Sequence, residues 1–156
     1  MAKKTATEKL NETKDLPKII KVEKLKDLVK YGDKMLIASP LDYNELMRKI
    51  PDGFVTTSFE IRSRLARKYG ATFTWQMTAG IFINIVANAS EERNEQGLND
   101  LVPYWRTLKK DGELNEKYPG GIEHQQIKLE AEGHEIIQKR KRFFVKDYQL
   151  KLFTFE

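Results

Sequence analysis

Two apolar-patterned segments joined by Gly70-Ala71-Thr72 constrain this chain more than any other feature. In the first, capped by Thr57 or Ser58 and running to Gly70, Ile61, Leu65 and Tyr69 share one helical face while Arg62, Arg64, Arg67 and Lys68 occupy the others. The second runs from Trp75 to about Ala89, with Thr74 at its cap position. Its apolar residues wrap most of the circumference, which predicts burial of much of it against the first. A tight glycine turn between two such segments predicts a helix-turn-helix. That arrangement reads DNA when its second helix is presented to a groove, and it is also a common packing unit in proteins that bind none.

Composition bounds what surrounds this pair. With 156 residues, 40% of them hydrophobic and 33% charged, the chain suits one domain with polar extensions. A formal charge of +5 and a pI near 9.3 favour polyanionic partners. The absence of cysteine excludes disulfides, thiolate nucleophiles and cysteine-based zinc sites. His124 and His134 lack a ligand-like spacing, so neither a metal nor any other cofactor is implied. No apolar run reaches the ~18 residues of a membrane span, and the start MAKKTATEKLNETKD is too polar for a signal peptide. A cytoplasmic protein without membrane association is the expectation.

Residues 1–34 are lysine-rich, alternate in charge and hold few large apolar residues, so they read as a basic mobile arm with at most a transient helix, either simply solvated or tracking DNA. The ordered domain is expected over 35–137, beginning at Met35, with a basic and aromatic extension over 138–156. Ser39-Pro40 is a helix start, with a hydroxyl at the cap and proline at the first helical position, and Pro51-Asp52-Gly53 is the stop. Val55-Thr56-Thr57 is a short β-prone entry. Ser90 to Asp100 reads as a helix extension and loop, and Val102 to about Leu114 as a small hairpin turning at Asp111-Gly112. A helix over Ile122–Glu132 ends at Gly133.

From Val102 the sequence reads VPYWRTLKKDGELNEKYPGGIEHQQIKLEAEG. This block resembles the active-site region of the alkylguanine-DNA alkyltransferases, which runs Pro-Cys-His-Arg, Asp-Gly, Tyr-x-Gly-Gly and a helix ending in Glu-Gly. Upstream, Ile50-Pro51, Gly53, Val55 and Ala79-Gly80 extend the resemblance to residues 39–133, the DNA-binding domain of that family. Tyr104 stands in place of the alkyl-accepting cysteine and Trp105 in place of the histidine that activates it. Glu132 matches the glutamate of the same relay, left with nothing to activate. A phenol with an ordinary pKa near 10 is a poor substitute for a thiolate. The resemblance therefore implies a cysteine-less, alkyltransferase-like variant, mainly α with a small β element and a winged-helix-like helix-turn-helix, unable to transfer alkyl groups.

The same resemblance implies a remnant alkyl pocket lined by Tyr104, Trp105, Arg106, Tyr118, Gly120, Gly121 and Glu132. Arg106 matches the family arginine and reads equally as an organiser of its loop through bidentate hydrogen bonds. Tyr118, Gly120 and Gly121 match the loop that closes over the base, and they also read as a tight turn needing positive φ. On the DNA-handling side, Gln76 takes the place of the family's arginine finger, and Ser58 that of the tyrosine that pushes the phosphate. Trp75 or Phe73 reads as an apolar wedge or as core. Lys139, Arg140, Lys141 and Arg142 beside Phe143-Phe144 read as a nucleic-acid contact or as a charged, solvated strand edge. The expected partner is double-stranded DNA, with alkylated or modified guanine as the recognised feature. The alternative is a protein-interaction module, with an unidentified protein partner, that kept the fold and lost lesion recognition.

Overall fold

The computed structural model describes residues 3–24 and 26–155. Helix α2 (Pro40–Arg48) starts where the sequence places it. The Ser39 hydroxyl oxygen accepts a hydrogen bond from the Asp42 amide, the Asp42 carboxylate accepts one from the Ser39 amide, and Pro40 opens the first turn. Helix α3 (Ser58–Tyr69) is capped by Thr57, whose hydroxyl accepts from the Glu60 amide, and it ends at Gly70 with φ 72°. That left-handed turn swings the chain into α4 (Gln76–Glu95), completing the helix-turn-helix.

Thr74 does not cap α4. Its hydroxyl instead donates to the Arg62 carbonyl of α3 at 2.7 Å, and Trp75 occupies the cap position without a side-chain bond. The helix also runs past Ala89 to Glu95, because its polar end is held from outside. Ser90 exchanges hydrogen bonds with both backbone groups of Val102, and Arg93 Nε donates to the Asp100 carbonyl at 2.6 Å. Burial of α4 comes from a short N-terminal helix, α1 (Ala6–Asn11), from α2 and from the turn at 104–106 as well as from α3.

The segment expected as a mobile arm is folded onto the domain. Helix α1 (Ala6–Asn11) sinks Leu10 into the principal core. Glu92 of α4 accepts from the amides of Ala6 and Thr7 and from the Thr7 hydroxyl, each at 2.8 Å, satisfying the otherwise free donors of the first turn of α1. Strand β1 (Lys18–Lys21) pairs antiparallel with β2 (Lys34–Ile37), which pairs parallel on its other side with β4 (Phe73–Thr74). A sequence scan for large apolar residues undervalues this segment, since Leu10 and Val22 are buried and Leu16, Ile20 and Leu28 pack beside Val22 to anchor it.

The hairpin expected between Val102 and Leu114 does not form. After the 3₁₀ turn Tyr104–Arg106, strand β5 (Thr107–Leu108) pairs parallel with β3 (Thr56–Thr57), fifty residues away. The turn at Asp111-Gly112 is present, with φ of 63° and 83°, but it leads to Leu114, whose amide bonds the Phe143 carbonyl. A Cβ at Gly112 would stand 2.5 Å from the Tyr148 ring, so the turn is also a packing point.

Helix α5 (Gly121–Ala131) follows, then the hairpin of β6 (Ile136–Lys139) and β7 (Arg142–Val145). The boundary expected at 137/138 lies inside β6, and the following chain is tied back by Phe153 N–H to the Val55 carbonyl at 2.9 Å. A principal core joins α1 to α4 with Tyr104 and Tyr118. A second core gathers Val55, Leu108, Leu114, Leu129 and Val145, and Trp105 packs against both.

Candidate functional site

The 3₁₀ turn Tyr104–Arg106 aims three consecutive side chains in three directions. Tyr104 points inward and is 2% exposed. Its ring meets those of Trp105 and Tyr118 edge-on, at centroid distances of 5.5 and 5.3 Å, a geometry that adds roughly 0.5–1.5 kcal/mol per pair beyond burial. The Tyr104 hydroxyl donates to Glu91 Oε2 at 3.0 Å. Burial, then this hydrogen bond to a carboxylate, push the phenol pKa far above its usual value, so the group stays a neutral donor. Tyr118 is likewise buried, donating to the Thr107 carbonyl at 2.8 Å, and burial raises its pKa.

Trp105 and Arg106 converge on Glu132, at the C-terminal end of α5. Trp105 Nε1 donates to Glu132 Oε2 at 3.0 Å, and Arg106 donates through Nε at 2.9 Å to Oε1 and through Nη2 at 2.6 Å to Oε2. The remaining Arg106 nitrogen donates to the Ile50 carbonyl at 2.7 Å, tying this turn to the end of α2. Of the two readings open for Arg106, the geometry is that of a bidentate organiser. Lys128 Nζ lies 5.0 Å from the centre of the Trp105 ring. Buried Gln125 completes the frame, donating to the Trp105 carbonyl at 3.0 Å and accepting from the Asn115 amide at 2.7 Å.

Gly120 and Gly121, with φ of 82° and 69°, form the left-handed entry into α5, and a Cβ at Gly120 would stand 2.5 Å from His124 Cβ. The turn reading is thus met in full. Tyr104, Trp105, Arg106, Tyr118, Gly120, Gly121 and Glu132 do gather in one region, but aromatic rings fill its centre and every side-chain polar atom of Tyr104, Trp105, Arg106 and Tyr118 is bonded within the protein. Nearby, His124 Nδ1 and Thr107 Oγ1 are buried without partners. The Tyr104 phenol in this arrangement is held as a neutral hydrogen-bond donor.

The expected DNA-handling residues fall on other surfaces. Ser58 and Gln76 are the first residues of α3 and α4, and Gln76 is exposed. Trp75 and Phe73 pack against the small cluster of Val22, Met35 and Ile37. Both are half-buried there, which favours packing over the wedge. Lys139, Arg140, Lys141 and Arg142 are all exposed at the β6–β7 turn, with Arg140 at φ 59°. Arg142 is committed to Glu113 at 2.7 Å, while Lys139 and Arg142 lie over the Phe144 ring at 5.5 and 5.1 Å.

No family model matches the chain, and no curated protein matches it. Two solved structures do. Schizosaccharomyces pombe Atl1, crystallised with damaged DNA containing O6-carboxymethylguanine, is 21% identical with a TM-score of 0.50, and the match covers 74% of this chain and 94% of that one. A second crystal structure, of S. pombe ATL in complex with DNA, gives 20% identity, the same coverage and the same TM-score. This chain has the alkyltransferase-like fold. The fifth of the residues shared with those structures is too few to carry more than the fold.

Within this alkyltransferase-like frame, three functional neighbours escaped the sequence reading. Glu91 holds the Tyr104 hydroxyl, and its own pKa is lowered by hydrogen bonds from Asn94 and Tyr104 against an opposing effect of burial. It lies in the polar stretch read as a helix extension and loop, where no apolar periodicity pointed to it. Gln125 bridges two loops from a helix whose pattern gave no inward polar position. Arg62, placed by the sequence off the apolar face of α3, is half-buried beside Tyr43.

Proposed function

We propose that this protein is a non-catalytic, alkyltransferase-like binder of double-stranded DNA. One observation carries the reading: solved structures of this fold hold DNA, and here a buried, fully hydrogen-bonded tyrosine occupies the position that the sequence resemblance gives to the alkyl-accepting cysteine. The basic surface, with Lys139, Arg140 and Lys141 exposed on one turn, supports a polyanionic partner. Alkylated or modified guanine in DNA repair, and a cytoplasmic location, belong to the same proposal. Among the described residues no helix is long and apolar enough to cross a membrane.

A second reading is favoured by the packing of Tyr104 against Tyr118. Rings that fill the centre of the aromatic site leave an extruded base to displace them, which supports a module that keeps the fold while lesion recognition is lost. One experiment separates the two. Fluorescence anisotropy with plain and O6-alkylguanine duplexes across a salt series, followed by intact-mass measurement, should give binding that weakens steeply with salt and no added alkyl mass. Preference for the alkylated duplex selects lesion recognition, and equal affinity selects the second reading. A mass gain of one alkyl group, or no duplex binding at low salt, overturns the proposal.

A further inference from the structure

Most of the chain's excess positive charge lies outside the block that resembles the alkyltransferases. Residues 1–34 hold ten lysines against six acidic residues, which is +4 of the formal +5, whereas the resemblance spans 39–133. The fold carries part of this charge to the turn of the helix-turn-helix. The Lys34 amide donates to Thr72 Oγ1 at 2.9 Å, and the Lys34 carbonyl accepts from the Thr72 amide at 2.9 Å and from its hydroxyl at 2.8 Å. Gly32 comes so close that a Cβ there would stand 2.4 Å from Thr72 Oγ1, and the Tyr31 ring lies 5.6 Å from that of Phe73. Residues 31–34 are thus seated on the segment that joins α3 to α4.

Lys34 also stands directly opposite Lys21 in the β1–β2 ladder. Both polar groups of the Lys34 backbone bond Thr72, so the two lysines form a non-hydrogen-bonded cross-strand pair, the kind in which side chains stand closest. Both are exposed, and no acidic side chain among the described residues comes within ion-pair distance of either. Lys18, at the other end of β1, has its counter-charge in Asp15 at 3.1 Å. Like charges facing each other across two strands destabilise the pair. Guarding a sheet edge accounts for a lysine on β1, the outer strand, but not for Lys34, which lies between β1 and Thr72. Two facing cations without a counter-charge fit an anion held between them. Resting on the DNA-binding reading above, we propose that Lys21 and Lys34 grip the phosphate backbone of duplex DNA where it passes the turn between α3 and α4. In a docked helix-turn-helix the first helix crosses the backbone and the second enters a groove, so a phosphate strand runs beside the turn that joins them. The contact positions the domain on the duplex and reads no sequence.

The test uses the full chain and a fluorescent plain duplex titrated across a salt series. The double variant Lys21→Gln with Lys34→Gln should lower the salt slope by about 1.8, two phosphate contacts at about 0.9 each. Its shortfall in affinity against wild type should therefore shrink roughly tenfold between about 50 and about 200 mM salt. Lys21→Arg with Lys34→Arg should keep the wild-type slope. Lys3→Gln with Lys9→Gln removes the same charge at α1, which packs where Glu92 lies near the far end of α4, and should also leave the slope unchanged. Free of DNA, the glutamine pair at 21 and 34 should melt no lower than wild type, because two facing like charges are gone. A wild-type slope in that variant, or an equal loss in the α1 control, overturns the grip and leaves the DNA-binding reading standing. A lower melting temperature overturns the opposed-charge argument on which the grip rests, and a wild type that binds no duplex at low salt overturns both readings.

Discussion

Replacing Glu132 by glutamine tests whether the Arg106–Glu132 pair is a desolvated strut of the aromatic turn. The side chains of Arg106 and Glu132 are only 14% and 9% exposed, and three hydrogen bonds from Arg106 plus one from Trp105 converge on the two carboxylate oxygens. Glutamine keeps the volume but leaves the Arg106 cation largely buried without a counter-charge. Its amide also turns one acceptor into a donor facing other donors. Removing one member of such a pair costs about 3–5 kcal/mol, far above the ~0–1 kcal/mol of a solvated pair. Since Trp105 and the Ile50 carbonyl still hold part of the frame, the lower end, about 3 kcal/mol, is expected. At about 2–4 °C per kcal/mol for a chain of this size, melting followed by circular dichroism should fall by roughly 6–12 °C. The double variant Glu132→Gln with Arg106→Met should recover much of the loss, because the stranded charge is gone. A single-variant loss below about 1 kcal/mol, or no recovery in the double variant, would refute the reasoning that a buried charge pair holds this turn.

Two further outcomes follow from other parts of the molecule. Burial lowers the pKa of His134, whose Nε2 has no partner, so the unfolded chain binds this proton more readily than the folded one. The stability it secures is present above the ordinary value of 6.5 and is lost as pH falls from there through the depressed folded value. Urea denaturation between pH 7.5 and 5 should show that decline, and His134→Gln should flatten it; an unchanged slope assigns the decline to other groups. Substituting Lys139, Arg140 and Lys141 with glutamine, while keeping Arg142 to hold Glu113, should weaken duplex binding alike on all sequences. The salt slope should drop by up to about 2.7 if each cation meets one phosphate, and no drop makes the turn a solvated strand edge.

Local chemistry made a good part of the fold legible. Ser39-Pro40, Thr57, Gly70 and Asp111-Gly112 each act through bonds or dihedral angles within a few residues, so their effect is written in the adjacent sequence. The alkyltransferase-like fold was legible in a different way, through the resemblance that the block from Pro103 to Gly133 bears to that family. What the tertiary structure decided rests on contacts with no local signature. Glu92 is one more acidic residue in a charged stretch until it receives the amides of α1, more than eighty residues away. Thr107-Leu108 looks like half of a hairpin until β3 offers a parallel partner whose pairing also buries Leu108. Tyr104 reads in place of a cysteine through the family resemblance, and only packing makes it a filled site, because whether its ring lies in water or in the core depends on Glu91 and Tyr118 arriving from two other parts of the chain. Distant partners of this kind are selected by the total area buried and by the satisfaction of every enclosed polar group, and a one-dimensional pattern records neither.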